Sequence, residues 1–485
     1  MSIPILITFI AYFIILLAIG LFFYGKSRHI EDYLLGGRQM GAWVTALSAQ
    51  ASDMSGWLLM GLPGAIYLTG LENIWIAIGL FIGTVLNWIF ISGRLRIYTQ
   101  QTNTITLPCF FEKRFDDPTG LLRTVSAIII LVFFTIYASS GLVATGKLFE
   151  SIFNVNYTAA VLIGGGIIIL YTFLGGFMAV CWTDLFQGSL MLIAILVVPA
   201  MAYCRSDGLT GIVDAMNARQ IGTSCIPQGT WPLLAMLSAS AWGLGYFGQP
   251  HILTRFMSVQ SLLKLRESMV IAIIWVLLSL AGAVVIGLVG IALFDNLTDG
   301  DQEKVFIYMI RQVMGPWLGG VMLAAILSAI MSTIDSQLLV SSSALSEDFY
   351  QKVIKKQASE KEVVFVGRLC VIGISAIALV LAFNPNDTIL GIVAYAWGGF
   401  GAAFGPLVLF ALFSKKTTWQ SALSGMVTGT VVLILWKQLG WSARLYEIVP
   451  GFAVNCITIW LINCVIPQRN QQILDEFEKM KSVRS

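Results

Sequence analysis

The sequence predicts an all-α protein that crosses a membrane many times. Hydrophobic residues make up 57% of its 485 residues and charged residues only 11%, whereas a soluble domain carries roughly 25% charged residues. The mean hydropathy of +0.83 indicates that lipid is the main solvent of the chain. The formal net charge of +3 argues against a nucleic-acid partner, which would require a basic stripe.

Apolar runs of the length that spans a bilayer follow one another along the chain. The hydrocarbon core requires about 20 residues per helix. Thirteen runs meet that length, at about 4–24, 42–68, 73–93, 124–146, 158–178, 184–204, 232–252, 268–295, 317–346, 362–384, 388–413, 417–436 and 446–466. We expect one integral membrane domain over 1–485, with a charged, solvated cytoplasmic tail at 467–485.

The basic residues are distributed unevenly between the two sides of this arrangement. With thirteen spans, 22 of the 29 Lys and Arg residues lie on one side and 7 on the other. Because basic loops remain in the cytoplasm, we expect the N-terminus outside and the C-terminus inside. The first run has no basic segment before it, which favours a retained helix over a signal peptide.

Three carboxylates lie within or at the edge of predicted spans. A charge there costs at least about 2.5–3.5 kcal/mol, so each is a functional candidate. Asp53 lies near the middle of the second span, Asp184 at the cytoplasmic edge of the sixth and Asp335 in the cytoplasmic half of the ninth. For Asp184, a helix N-cap is an equally good explanation.

Two spans are interrupted by small residues and proline. The second contains SDMSG and GLPG, and the seventh contains SASAWGLGYFGQP. Irregular backbone at membrane depth persists only where it is buried or lines a polar cavity, and it frees carbonyls and helix N-termini for ligands. The two breaks lie five spans apart, which predicts an inverted repeat of 42–204 and 232–413, preceded by an extra helix at 4–24 and followed by two helices at 417–466.

The ninth span carries oxygen ligands in helical register. Ser328, Ser332, Asp335 and Ser336 share one face, and Thr333 adjoins it. Hard cations such as sodium prefer several oxygen ligands, although small hydroxylated residues also pack helices together in membranes. Four aromatic residues near the breaks could line a substrate pocket or only pack: Tyr137, Trp242, Tyr246 and Phe247.

Other sequence features argue against an enzyme and against transport driven by ATP. GLVATGKL at 141–148 resembles a phosphate-binding loop, but Leu148 replaces the magnesium-binding Ser or Thr and no strand precedes it. The two histidines, His29 and His251, are too far apart in sequence for a zinc-protease motif. Cys204 and Cys225 both lie near the outer face, where two free thiols are favoured over a disulfide. We expect a protein that is not an enzyme and has no cofactor.

Several long segments resemble the sodium:solute symporter family, and within it most closely the bacterial sodium/proline symporters. They are GGRQMG (36–41), ALSAQASDMSGWLLMGLPGA (46–65), FFTIYASSG (133–141), LGGFMAVCWTD (174–184) and AWGLGYFGQPHILTRFM (241–257). The resemblance implies a leucine-transporter-type fold with a 5+5 inverted repeat, which agrees with the span count and the positions of the breaks.

The resemblance also implies a set of ligand-binding residues. Sodium would be bound by backbone carbonyls and hydroxyls of five residues: Ala51, Met54, Ala329, Ser332 and Thr333. Asp53 would support sodium binding, Ser55 would couple the sodium and proline sites, and Arg38 would act in coupling and inward release. Proline would lie against four residues: Tyr137, Trp242, Tyr246 and Pro250.

A second cation station is a further hypothesis. Asp335 occupies a position where some relatives have Ser, and Asp184 and Ser336 could approach it on the cytoplasmic side. These oxygens would bind a cation transiently on the exit path. The alternative is an Asp that is simply hydrogen-bonded to a neighbouring helix.

The function expected from the resemblance is sodium-coupled uptake of L-proline into a bacterial cell by alternating access. The partners would be L-proline, sodium ion and the lipid bilayer of the cell membrane, with no obligatory protein partner. Another amino acid or a small carboxylate such as pantothenate is the nearest alternative substrate. A channel is less compatible with paired breaks, which suit an occluded site.

Overall fold

A computed structural model describes residues 2–24, 30–174, 176–298, 300–385 and 387–482. Within them the chain is helical, and the one β-type contact is an isolated bridge between Met40 and Val259. The α-helices are α1 Ile3–Tyr24, α2 Ile30–Leu35, α3 Ala42–Ala51, α4 Leu62–Thr69, α5 Ile74–Leu86, α6 Ser92–Gln101, α7 Leu107–Phe115, α8 Leu121–Phe153, α9 Tyr157–Leu174, α10 Phe177–Tyr203, α11 Gly208–Ala218, α12 Pro232–Ser240, α13 Pro250–Ser258, α14 Leu262–Leu293, α15 Val305–Val313, α16 Pro316–Ser343, α17 Glu360–Ala382, α18 Ile389–Phe413, α19 Trp419–Gln438, α20 Ile448–Val465 and α21 Gln471–Ser482.

The long apolar helices correspond to ten of the thirteen predicted spans. The predicted spans 42–68 and 73–93 contribute to one continuous stretch, 158–178 contains a shorter apolar helix, and 232–252 is broken after Ser240. Ten helical stretches of the described chain, with 57–101 taken as one, are long and apolar enough to cross a membrane. Large apolar side chains are exposed along α1, α14, α17 and α20, as expected of surfaces that contact lipid. The chain is therefore an all-α, multi-pass membrane protein.

Both predicted breaks are present. After Ala51 the backbone leaves the helix and resumes in a π-type turn at Trp57–Gly61 that continues into α4. After Ser240 it forms a 3-10 segment at Ala241–Gly248, and α13 then begins at Pro250. Glycine is required in the second break, since a Cβ at Gly245 would collide with the indole of Trp397 on α18.

The centre of the molecule is α16. Every residue from Met322 to Leu339 on this helix is buried, because α16 packs against α1, α8, α10 and α17. A helix that is surrounded on all sides by protein can carry polar side chains away from lipid. The serines, threonine and aspartate of α16 are therefore enclosed by the bundle.

The C-terminal tail differs from the prediction of a solvated end. Residues 471–482 form α21, which buries Ile473, Phe477 and Met480. These residues recur at i, i+4 and i+7, a spacing that places them on one helical face. The prediction was wrong here because the charged residues between them outweighed this short apolar stripe.

The two cysteines near the predicted outer face, Cys204 and Cys225, are exposed free thiols and form no disulfide with each other in the structure.

Candidate transport site

The end of α3 and the middle of α16 meet through oxygen atoms. The Ala51 carbonyl accepts hydrogen bonds from Ser332 Oγ at 2.7 Å and Thr333 Oγ1 at 3.3 Å. The Ala329 carbonyl accepts from the same two hydroxyls, each at 3.2 Å. Met54 lies at the same break and is fully buried. Four of the five predicted sodium ligands thus form one contact cluster, and all five are enclosed by protein.

Asp53 sits at the centre of the first break and links the two breaks. Its Oδ2 accepts a hydrogen bond from Tyr246 Oη at 2.6 Å, and its carbonyl accepts from Tyr137 Oη at 3.4 Å and Trp57 Nε1 at 3.0 Å. The carboxylate is fully buried, and its Oδ1 has no hydrogen-bond partner among the described residues. Asp53 therefore connects the first break both to the second break and to α8.

Aromatic rings surround this junction. The Trp242 ring lies 6.1 Å from that of Trp57 and 6.5 Å from that of Trp397, and the Tyr246 ring lies 5.0 Å from Trp397. Ser55 is buried beside Asp53, and its Oγ accepts a hydrogen bond from the Trp57 amide at 3.4 Å. Pro250 is buried at the start of α13. Rings of this kind pack well against a small cyclic or apolar substrate.

A second buried polar cluster lies around Arg255. Its Nη2 donates to Ser336 Oγ at 2.6 Å and to Asp184 Oδ2 at 3.4 Å, while its Nε donates to Ser48 Oγ at 3.1 Å. Arg255 and Asp184 form an ion pair in which both side chains are fully buried. Asp335 is also buried, but its Oδ1 accepts from Thr172 Oγ1 on α9.

Arg255 was not predicted as a site residue, because it was counted among the 22 Lys and Arg residues of the cytoplasmic side. The available signal was Asp184, since a buried carboxylate requires a partner. The structure brings Asp184 and Ser336 together through the Arg255 guanidinium. Within the described part of the chain, Oδ1 of Asp184 and Oδ2 of Asp335 have no hydrogen-bond partner.

Arg38 joins three segments on one side of the bundle. Its guanidinium donates to the carbonyls of Met257 at 3.1 Å, Thr99 at 3.2 Å and Thr104 at 2.7 Å, and its Nε pairs with Glu31 at 3.1 Å. Burial lowers the pKa of Arg38 below the ordinary value of arginine, and the Glu31 carboxylate opposes that shift. Arg38 thereby connects the segment before α3 to the ends of α6 and α13.

Paired broken helices that meet around buried oxygens and aromatic rings define a class of membrane transporter. The sodium:solute symporter family model matches residues 33–429. The chain belongs to the sodium:solute symporter family.

Full-length relatives carry proline transport in their names. A sodium/proline symporter of Salmonella typhimurium is 45% identical, with 99% of this chain and 96% of the relative covered. A sodium/proline symporter of Escherichia coli is 46% identical over 94% of this chain and 92% of the relative. The high-affinity proline transporter PutP of Bacillus subtilis is 46% identical over 97% of this chain and 100% of the relative.

Solved structures of similar shape have low sequence identity. A Na+-coupled sialic acid symporter in a substrate-bound outward-open state aligns with a TM-score of 0.82 at 18% identity, covering 97% of this chain and 100% of that chain. MHP1, a nucleobase-cation-symport-1 family transporter, aligns with a TM-score of 0.58 at 14% identity, covering 92% and 98%. The fold is of the leucine-transporter type, as the sequence predicted.

Proposed function

We propose that this chain carries L-proline into the cell together with sodium, by alternating access. The observation that carries the proposal is the identity of 45–46% over nearly the full length with relatives named for proline transport. The buried junction of the two breaks supports it, because that junction offers oxygen ligands beside aromatic rings.

Sodium would bind between α3 and α16. The carbonyls of Ala51, Met54 and Ala329 and the hydroxyls of Ser332 and Thr333 are neutral oxygens, which suit a hard monovalent cation. The ion would replace the hydroxyl-to-carbonyl bonds that now join the two helices, and so tie α3 to α16. Asp53 would support the ion from the adjacent turn.

Proline would bind beside the ion. Its ring would pack against Tyr137, Trp242, Tyr246 and Pro250, while Ser55 lies between this pocket and the sodium ligands. The side chains of this pocket are buried, so substrate entry requires the breaks to open toward one side at a time. That requirement is the basis of alternating access.

One sodium ion would supply enough energy for concentrative uptake. A membrane potential of about 100 mV is worth about 2.3 kcal/mol per charge. A tenfold sodium gradient adds about 1.4 kcal/mol. The sum would sustain accumulation on the order of several hundredfold.

A second cation station on the exit path is proposed at Asp184, Asp335 and Ser336. The unpartnered carboxylate oxygens of the two aspartates support it, and the Arg255 guanidinium would have to move away from Asp184 for a cation to bind there. The proposal of a second station fails if Asp335→Asn leaves both the apparent sodium affinity and the transport rate unchanged.

Arg38 would act in coupling and inward release, because its guanidinium is hydrogen-bonded to the ends of both α6 and α13.

The proposed orientation places the N-terminus outside and the C-terminus in the cytoplasm of a bacterial cell membrane. The same proposal divides the chain into the extra helix at 4–24, repeats at 42–204 and 232–413, two further helices at 417–466 and the cytoplasmic tail at 467–485. No cofactor and no obligatory protein partner are required, and the protein would carry out no enzymatic reaction. The bilayer, sodium and L-proline are the proposed partners.

The substrate is tested by competition. Uptake of labelled L-proline into cells that express the chain is measured with excess unlabelled L-proline, other amino acids or pantothenate. We expect strong inhibition by L-proline and little by pantothenate. Stronger inhibition by another amino acid or by pantothenate would assign the protein to that substrate instead.

A further inference from the structure

Two buried side chains on either side of Pro250 have polar atoms without a hydrogen-bond partner. Gln249 is fully buried, and its Nε2 donates to the Trp397 carbonyl at 3.2 Å, but its Oε1 has no partner among the described residues. His251 is fully buried too, and both its ring nitrogens lack a partner there. Buried polar atoms are nearly always hydrogen-bonded in native proteins. Three such atoms at one helix break are therefore available to a polar ligand.

Both side chains adjoin the proposed substrate pocket. Gln249 is fixed by Trp397, whose ring lies 5.0 Å from that of Tyr246. The ring of His251 lies 6.5 Å from that of Tyr137, at a nearly perpendicular angle of 88°. His251 therefore adjoins the pocket through Tyr137, and Gln249 through its neighbour Pro250 and its bond to the Trp397 backbone.

The local backbone favours an anion beside His251. Helix α13 begins at Pro250, so the amides of its first turn have no acceptor within the helix. The N-terminus of a helix also carries a partial positive charge. A neutral imidazole adds one N–H donor. The Gln249 Oε1, by contrast, is an acceptor and suits an ammonium group.

We infer that Gln249 and His251 bind the two charged groups of a transported amino or imino acid. A ring N–H of His251 donates to the substrate carboxylate, and the Gln249 Oε1 accepts from the substrate ammonium. The inference rests on the proposed function. It limits the transported substrates to zwitterions, which carry both a carboxylate and an ammonium group. A carboxylate without an amine would leave the Gln249 oxygen without a partner.

The test compares three competitors of labelled L-proline uptake in proteoliposomes. They are L-proline itself, prolinamide, which lacks the carboxylate, and tetrahydrofuran-2-carboxylate, in which oxygen replaces the amine. We expect His251→Leu to raise the inhibition constant of L-proline at least tenfold and that of prolinamide less than twofold, because hydrogen bonds to charged groups are strong. We expect Gln249→Leu to raise that of L-proline and to spare tetrahydrofuran-2-carboxylate. His251→Gln retains an N–H donor and should recover part of the L-proline affinity.

The controls separate binding from folding. Ser375→Ala removes another buried, unpartnered polar atom, on α17, and should leave all three inhibition constants unchanged. Equal shifts for all three competitors in the Leu variants would overturn the inference, and so would no shift. If a Leu variant cannot be purified in folded form, the same comparison is made with His251→Phe and Gln249→Met, which also lack the hydrogen-bonding groups. A wild-type protein that carries another amino acid would refute proline as substrate, and the comparison would then use that amino acid and its analogues.

Discussion

The hydroxyls of Ser332 and Thr333 are the uncharged side-chain oxygens that α16 contributes to the proposed sodium site. Each hydroxyl donates both to a carbonyl of its own helix and to Ala51 on α3. A hydroxyl has one proton but also lone pairs, so it can turn those lone pairs toward sodium. The α3–α16 contact is therefore the place where ion binding can act on a broken helix.

Removal of one hydroxyl should weaken sodium binding selectively. We expect Ser332→Ala to raise the sodium concentration for half-maximal uptake at least tenfold, equivalent to about 1.4 kcal/mol, with a smaller change in proline affinity at saturating sodium. Ser342→Ala is the matched control, since Ser342 is equally buried on α16 and its hydroxyl donates to the Leu339 carbonyl of its own helix at 2.9 Å. Equal effects of the two substitutions on sodium dependence would contradict the site.

The Tyr246 hydroxyl should stabilise Asp53. We expect Tyr246→Phe to lower the thermal stability of the purified protein and its sodium affinity, because an unsatisfied buried acceptor costs about 1–3 kcal/mol. Tyr67→Phe serves as control, since the Tyr67 hydroxyl donates to the Phe294 carbonyl at 2.8 Å. The control should lower stability without changing sodium affinity. An unchanged sodium affinity in Tyr246→Phe would show that this bond does not serve the ion site.

Among the helices, α13, which follows the second break, is linked by Arg255 to three other helices. Arg255 joins α13 to Asp184 on α10, Ser48 on α3 and Ser336 on α16. A buried ion pair stabilises little relative to apolar residues, but the loss of one partner is severe. The network should therefore hold α13 in place rather than contribute much net stability.

A double-mutant cycle tests this ion pair. We expect Arg255→Met to destabilise the folded protein by about 3–5 kcal/mol because it leaves Asp184 buried and unpaired. Adding Asp184→Asn should recover a substantial part of that loss, as measured by thermal unfolding in detergent. Additive losses in the double variant would mean that the two side chains do not stabilise each other.

The C-terminal helix α21 is docked on the rest of the helical bundle. It contacts α6, Tyr98 donates to Glu476 at 3.0 Å, and the Arg114 guanidinium lies 5.2 Å from the Phe477 ring. We expect Phe477→Ala to destabilise the protein by about 3–5 kcal/mol, since it removes a buried aromatic ring. Glu478→Gln breaks only the exposed pair with Lys415 and should have little effect. Equal, small effects of both would show that α21 is not docked in solution.

For the whole molecule, apolar run length located the long helices, because lipid requires every backbone group to be paired within a helix. The glycines, serines and prolines inside two of the runs located both breaks. The resemblance added the residues of the site. Neither could supply the contacts between distant segments, such as the bond from Tyr246 to Asp53 or the pairing of Arg255 with Asp184. These depend on how the helices pack, and residue spacing along the chain carries no direct record of that packing.

The orientation of the whole molecule is testable with its own cysteines. Cys225 and Cys464 are both exposed. The proposed topology places Cys225 in an outer loop and Cys464 at the cytoplasmic end of α20. In variants that retain one of the two, a membrane-impermeant maleimide should label Cys225 in intact cells and Cys464 only after permeabilisation. The reverse pattern would invert the topology.

The most direct measurement is whether an inward sodium gradient drives the accumulation of L-proline through this chain. Purified protein in proteoliposomes is tested for uptake of labelled L-proline with inward sodium, lithium or proton gradients imposed separately. With an inward sodium gradient, we expect labelled L-proline to accumulate transiently above its equilibrium level. This accumulation should disappear when sodium is equal on both sides and no membrane potential is present. Equal uptake with no sodium gradient, or accumulation driven by protons alone, would contradict sodium-coupled uptake.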